Sequence, residues 1–290
     1  MSMKKFLALA GVSLLLAVSG QPAEAAGRCL EAIKWDGVMK VGVGLMGLKP
    51  YVWQQPDGTY TGFEKEMTDY IADKLGVSYE YVVTEWTTLI PGLKAERWDI
   101  ILSGMAKTQE RIQGGGIDYS DPYLLIYDRI IVLQDSDIKS REDLKGKKLA
   151  STLGTMDSLV AHSLVDAGDA AEVLDFNTFG EPFLALRNGE ADAVIMDETT
   201  YIAQKEQMAD LSVVGDPLFY IPKAEWKEAE EKADYRLGGI AVGVRMECTD
   251  LKDAINKALA EMDADGTREK ILTSYNIWSD VQKALKKSDQ

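Results

Sequence analysis

Arg111 stands in a setting that asks for an anion. It follows Ser103-Gly104-Met105-Ala106-Lys107-Thr108-Gln109-Glu110. Thr108 is expected to cap a helix there, which sets Arg111 in the first turn. The helix dipole disfavours a cation at that end. An anion would compensate, and the planar guanidinium fork matches a carboxylate with two parallel hydrogen bonds. Read alone, the same residue also fits a solvated surface arginine.

A second polar group comes from an internal echo. Leu93-Lys94-Ala95-Glu96-Arg97-Trp98-Asp99-Ile100-Ile101-Leu102 matches Leu186-Arg187-Asn188-Gly189-Glu190-Ala191-Asp192-Ala193-Val194-Ile195. Each copy reads as a helix end, a polar turn, an aspartate and a buried strand. The first strand delivers Ser103-Gly104-Met105 and the second delivers Met196-Asp197-Glu198. Ligands of open α/β sheets lie beyond the carboxyl ends of strands. Two such units therefore suggest two sheets facing a shared cleft.

Other chemistries lack material. His162 is the only histidine, so histidine–cysteine metal sites and Ser-His-Asp or Cys-His hydrolase arrangements are not expected. His162 reads as a surface or boundary residue of a helix over Met156–Ala167. Neither a metal nor a cofactor is expected. Cys29 and Cys248 are the two cysteines. An oxidising compartment would permit one disulfide between them, with two free thiols as the alternative.

The elements that must position these residues alternate short apolar strands with amphipathic helices, an α/β pattern. Strands are expected at Met39–Val43, Tyr79–Val83, Asp99–Leu102, Leu149–Leu153, Val173–Phe176, Ala193–Met196 and Ile240–Val244. Asp57-Gly58 marks a hairpin between Tyr51–Trp53 and Tyr60–Gly62. A helix over Glu64–Leu75 carries Met67, Ile71 and Leu75 on one face, with Gly76 to end it. Another spans Thr87–Lys94. Thr249 is expected to cap a helix with Leu251, Ile255, Leu259 and Met262 inward. Asp265-Gly266 then turns the chain into a last helix opened by Thr267.

The amino terminus reads as an export signal. Lys4 and Lys5 precede an apolar run from Phe6 to Val18, and Ala23-Glu24-Ala25 offers small residues for cleavage. Residues 1–26 are thus expected to be removed. Arg28 and Ala26 do not suit lipid attachment at Cys29, so a free protein in the periplasm is expected. The formal net charge is −15, and removal of Lys4, Lys5 and Glu24 makes it −16. That balance opposes nucleic-acid binding, which needs a basic footprint.

The chain resembles the polar amino-acid-binding proteins of ABC importers, the extracellular solute-binding family 3. Gly62-Phe63-Glu64-Lys65-Glu66-Met67 looks like that family's signature, with Lys65 where an apolar residue is preferred. Trp86–Leu93, Ser103-Gly104-Met105, Thr108, Arg111, Ser120-Asp121-Pro122-Tyr123, Gly154-Thr155, Asp197 and Ala264-Asp265-Gly266-Thr267 extend the likeness along the chain. The resemblance implies a periplasmic binding protein type II-like fold, with two α/β lobes joined by two crossing strands. Lobe 1 would hold residues 27–126 and 238–290, lobe 2 would hold 127–237, and hinges would lie near Leu124–Tyr127 and Tyr235–Gly239.

It also implies roles by position. Arg111 would take a ligand α-carboxylate with backbone amides near Ser103, Gly104 and Met105 and at Thr155 and Met156. Asp197 would take the α-ammonium, and Trp86 would pack over the ligand. A zwitterion enclosed between lobes loses water on both charges, so each needs a fixed partner. Leu48 stands where many relatives place an aromatic that stacks on the ligand, Ala106 where a hydroxyl is usual, and Met156 where one is frequent. The pocket is therefore expected to be more apolar than in most of the family. The expected partners are a small amino-acid-like ligand and a membrane permease, with the chain a monomer. Two other readings remain: a cyclohexadienyl dehydratase-like enzyme, with Glu181 or Glu198 as acid, and a ligand-presenting sensor partner.

Overall fold

The computed structural model describes residues 27–44, 49–232, 238–283 and 285. Two five-stranded sheets build two lobes. In the first, the strand order is Ser78–Thr84, Val38–Gly44, Ile100–Ile101, Gly243–Arg245, Ile117–Tyr119. The first three run parallel and Gly243–Arg245 runs against both its neighbours. In the second, the order is Glu172–Phe176, Lys148–Thr152, Ala193–Asp197, Asp128–Leu133, Leu211–Leu218. Again the first three are parallel, and Asp128–Leu133 opposes both neighbours. The central strands are apolar on both faces because helices cover both sides. Val41, Ile100 and Ile101 in one lobe, and Ile130, Ile131, Val194 and Ile195 in the other, are fully buried.

The echoed segments occupy equivalent places in the two sheets. Lys40 N donates to Asp99 Oδ2 at 2.7 Å, and Asp99 N donates back to Lys40 O at 2.9 Å. In the second lobe Lys148 N donates to Asp192 Oδ2 at 2.8 Å, and Asp192 N returns a bond to Lys148 O at 2.8 Å. Each aspartate thus pins the start of its buried strand to the neighbouring parallel strand. That is the physical content of the repeat seen in the sequence.

The chain passes between lobes through two crossing strands. Leu124–Leu125 pairs antiparallel with Gly239–Ile240. The expected single strand Ile240–Val244 is therefore two, since Gly239–Ile240 belongs to the crossing and Gly243–Arg245 to the first sheet. Residues 235–237 of the second expected hinge lie outside the described residues.

Most helices follow their patterns. Phe63–Leu75 buries Met67, Ile71 and Leu75 and ends on Gly76 in the left-handed conformation. At its start Gly62 is required, because its φ is +124° and a Cβ there would lie 2.0 Å from Tyr51 O. Thr249–Ala264 buries Leu251, Ile255, Leu259 and Met262 and packs on Phe63–Leu75. Thr249 is its first helical residue rather than its cap; Cys248 holds the cap position without a side-chain bond. Trp86–Thr88 forms a tight turn before the helix Leu89–Lys94. Helices not foreseen include Cys29–Asp36 at the start, Glu198–Gln207, Lys227–Lys232, and Asp280–Lys283 after Thr267–Ser274. Cys29 and Cys248 form a disulfide that closes a separation of 219 residues. It ties the first helix to the start of Thr249–Ala264.

Candidate functional site

Each polar group of the cleft sits where an element ends. Trp86 opens the turn after strand Ser78–Thr84. Arg111 lies in a wide helical turn, Glu110–Gly114, and its amide donates to Thr108 Oγ1 at 3.2 Å; Gln109 holds the cap position, one residue beyond the expected Thr108. Thr155 follows strand Lys148–Thr152 and caps Met156–Asp166, with its hydroxyl accepting from Ser158 N at 3.1 Å. Asp197 ends strand Ala193–Asp197 and caps Glu198–Gln207, accepting from Thr200 N at 2.9 Å.

These ends enclose one cavity between the lobes. Tyr51, Trp86, Gly104, Ala106 and Arg111 line it from the first lobe. Thr155, Met156, Asp157, Phe179 and Asp197 line it from the second, and Ile126 lies at the crossing. It holds about 20 Å³, room for roughly one water rather than an amino acid. Polar groups bridge the space directly. Tyr51 donates to Asp197 Oδ1 at 3.0 Å. Trp86 Nε1 and Arg111 Nη2 both donate to Gly154 O, at 3.0 and 3.1 Å. Arg111 Nη1 donates to Ala106 O at 2.6 Å. Two carbonyls therefore hold Arg111 where an anion was expected. The guanidinium lies 5.9 Å from the Trp86 ring centre, and Trp86 meets Phe179 edge-on at 5.6 Å.

The second lobe presents buried acids. Burial raises the Asp197 carboxyl above its ordinary range, against the hydrogen bonds from Thr200 and Tyr51 that lower it. Burial, then the charge of Asp197, pushes Asp157 up to about 7. Asp128, fully buried behind it, is raised by burial and by the charges of Asp157 and Asp197. In the first lobe burial lifts Glu64 to about 7. Glu64 Oε1 accepts from Gly104 N at 2.6 Å and from Tyr123 OH at 2.5 Å. It thereby fixes Gly104, whose φ of +64° favours glycine.

Six of the expected site residues meet at the cavity: Trp86, Gly104, Arg111, Thr155, Met156 and Asp197. Two do not line it. Ser103 is fully buried with its hydroxyl accepting from Gly44 N at 2.9 Å, and Met105 is core with its carbonyl accepting from Ala241 N. The amide of Gly104 is already engaged by Glu64. Leu48 lies outside the described residues. Sequence reasoning missed Tyr51, Ile126, Asp157 and Phe179. Only Asp157 carried a local signal, its place in the first helical turn after Thr155, where the dipole favours an acid.

The remaining candidates fall elsewhere. His162 is half-exposed and pairs with Asp175 at 2.7 Å, the surface role expected of it. Glu181 accepts from Thr178 N at 3.0 Å, Glu198 lies 3.2 Å from Arg129, and neither lines the cavity. Among the described residues no group of three or more His, Cys, Asp or Glu side chains is arranged to hold a metal ion. No helix among them is long and apolar enough to cross a membrane.

Two α/β lobes on crossing strands, closing over a cleft with an arginine on one wall and an aspartate on the other, define a bilobal ligand-binding protein of type II topology. The chain belongs to the bacterial extracellular solute-binding proteins, family 3, whose pattern matches residues 40–277. It is a solute-binding protein, similar to the histidine-binding periplasmic protein of Escherichia coli (strain K12), with 29% identity over 229 residues, 78% of this chain and 83% of the relative. Among solved structures, an ancestral arginine-binding protein bound to arginine has a TM-score of 0.70 and 31% identity, covering 82% of this chain and 98% of its own. The ancestral amino acid-binding protein AncCDT-1, a precursor of cyclohexadienyl dehydratase, has a TM-score of 0.71 and 29% identity, covering 85% and 98%.

Proposed function

We propose that this protein captures an α-amino acid or a close analogue between its lobes and delivers it to the membrane permease of an ABC importer. The observation that carries this reading is that Arg111 and Asp197, from opposite lobes, line the same cavity. Arg111 takes the ligand carboxylate, Asp197 takes the ammonium, and Trp86, Met156 and Phe179 surround the rest. Thr155 N already donates to Thr152 O at 3.2 Å, so the amide of Met156, the first residue of helix Met156–Asp166, adds a donor for the carboxylate. Gly154 O and Tyr51 engage Arg111 and Asp197, and both contacts give way when the ligand binds.

The division expected from the sequence, 27–126 with 238–290 against 127–237, sets the two moving units, and we infer closure by a rigid-body motion about the crossing strands. The protein works as a monomer in the periplasm after residues 1–26 are cleaved, and mass spectrometry of periplasmic material checks that cleavage. Its similarity to a histidine-binding periplasmic protein supports binding rather than conversion, and Glu181 and Glu198, the acids nominated for dehydratase chemistry, do not line the cavity. A thermal-shift screen of the mature protein against amino acids and small organic acids tests the reading, because ligand binding to the native state raises Tm. Stabilisation by a zwitterionic amino acid supports it. Stabilisation only by acids lacking an ammonium, or turnover of prephenate or arogenate, overturns it.

A further inference from the structure

The cavity carries more negative charge than a zwitterion requires. Asp157 and Asp197 both line it, each 4% exposed, and Arg111 is the one cation among the lining residues. A zwitterion held by Arg111 and Asp197 leaves Asp157 without a counter-charge. The groups facing Asp157 are Asp197, Asp128, Thr155, Arg111 and Tyr51. Two of these are acids and one is a cation. Asp128, on strand Asp128–Leu133, is fully buried, and its carboxyl meets the Asp157 carboxyl in a side-chain hydrogen bond. Two carboxyls can share such a bond only when one of them carries a proton, so burial and mutual repulsion make this cluster hold a proton. A bound cation would relieve the same repulsion by direct pairing.

Resting on the arginine–aspartate reading above, we propose that Asp157, backed by Asp128, selects ligands that carry a second cationic nitrogen beside the α-ammonium, and that binding such a ligand releases a proton from the acid cluster. Asp157 thereby sets specificity, and Asp128 acts through it as a positioning residue. Burial keeps the Asp157 carboxyl near pH 7, so the exchange of proton for ligand cation falls within the neutral range.

The test uses matched pairs that differ by one charge: arginine and citrulline, 2,4-diaminobutyrate and homoserine, lysine and 6-hydroxynorleucine. Calorimetry of the mature protein near pH 7, in buffers of different ionisation enthalpy, reads affinity and proton release together. At least one cationic member is expected to bind roughly 10- to 100-fold tighter than its neutral partner, and to release more protons, up to about one in all, than that partner, whose α-ammonium relieves only the charge of Asp197. Asp157→Asn and Asp157→Ser should both reduce that preference to within about threefold and abolish the excess proton release of the cationic member. Asp128→Asn should reduce proton release more than affinity. Neutral members binding within about threefold of their cationic partners, with both lost in Arg111→Ala, would overturn the second-charge proposal and leave the arginine–aspartate reading standing. A charge preference that survives both Asp157 variants also overturns it. If no amino acid binds, the arginine–aspartate reading itself fails.

Discussion

Tyr51 and Asp197 meet across the cleft, phenol to carboxylate, at 3.0 Å. They are 146 residues apart and belong to different lobes. The phenol occupies the carboxylate oxygen, Oδ1, that also caps the helix Glu198–Gln207. It therefore stands where a ligand ammonium would donate, and the bond joins the two lobes. Tyr51→Phe removes the hydroxyl and keeps the ring against Phe63. We expect the ligand-free variant to shift toward the open form, seen as a larger radius of gyration by small-angle scattering, with a smaller loss of affinity than Asp197→Ala. An unchanged scattering profile would show that this bond does not bias closure.

Arg111 and Asp197 should each dominate affinity. Losing one partner of an enclosed charge pair costs about 2–5 kcal/mol, roughly thirtyfold to several thousandfold in Kd. Arg111→Ala and Asp197→Ala should each weaken binding by that much, and Arg111→Lys should rescue only in part because an ammonium lacks the fork. Arg111 also donates to Ala106 O and Gly154 O. Its loss should therefore lower the unliganded Tm by a few degrees, about 1–3 kcal/mol. Calorimetric binding with circular dichroism checks both parts; variants that stay folded and bind within about threefold of wild type would falsify the charge assignment.

The bond between Cys29 and Cys248 should stabilise the first lobe. Closing so long a loop contributes at most about 5 kcal/mol in the chain-entropy picture. Cys29→Ser with Cys248→Ser should lower Tm by several degrees while leaving affinity nearly unchanged, because both cysteines lie away from the cavity. Equal melting of the oxidised and reduced wild type would count against a stabilising role.

Glu64 gives the first lobe a pH dependence of definite sign. Its folded pKa is raised from 4.5 to about 7, so between those values the native state holds a proton that the unfolded chain has lost. Stability from this group is present below about pH 4.5 and falls as the pH rises toward 7. Glu64→Gln, which keeps a carbonyl acceptor for Gly104 and Tyr123, should flatten that fall. Denaturant unfolding of both proteins at pH 5 and pH 8 measures it. A decline equally steep in the variant would assign the effect to other buried acids.

Much of the architecture was legible because it rests on local periodicity and end signals. Met67, Ile71 and Leu75 recur at the helical spacing, Gly76 supplies the left-handed stop, and Asp99 and Asp192 recur before buried strands. Arg111 and Asp197 were legible for the same reason, since each sits where a recognisable element begins or ends. The charge balance and the disulfide-permitting cysteine pair were equally open to view. Tertiary structure decided what those groups touch. It placed Gly154 O against Arg111 and Tyr51 against Asp197, turned Ser103 and Met105 inward, and gathered Asp128, Asp157 and Asp197 from three separate segments. Desolvation and charge coupling depend on distance in space, and these partners lie tens to well over a hundred residues apart along the chain. No pattern of neighbours within the sequence could reveal that the second lobe presents buried acids to the cleft.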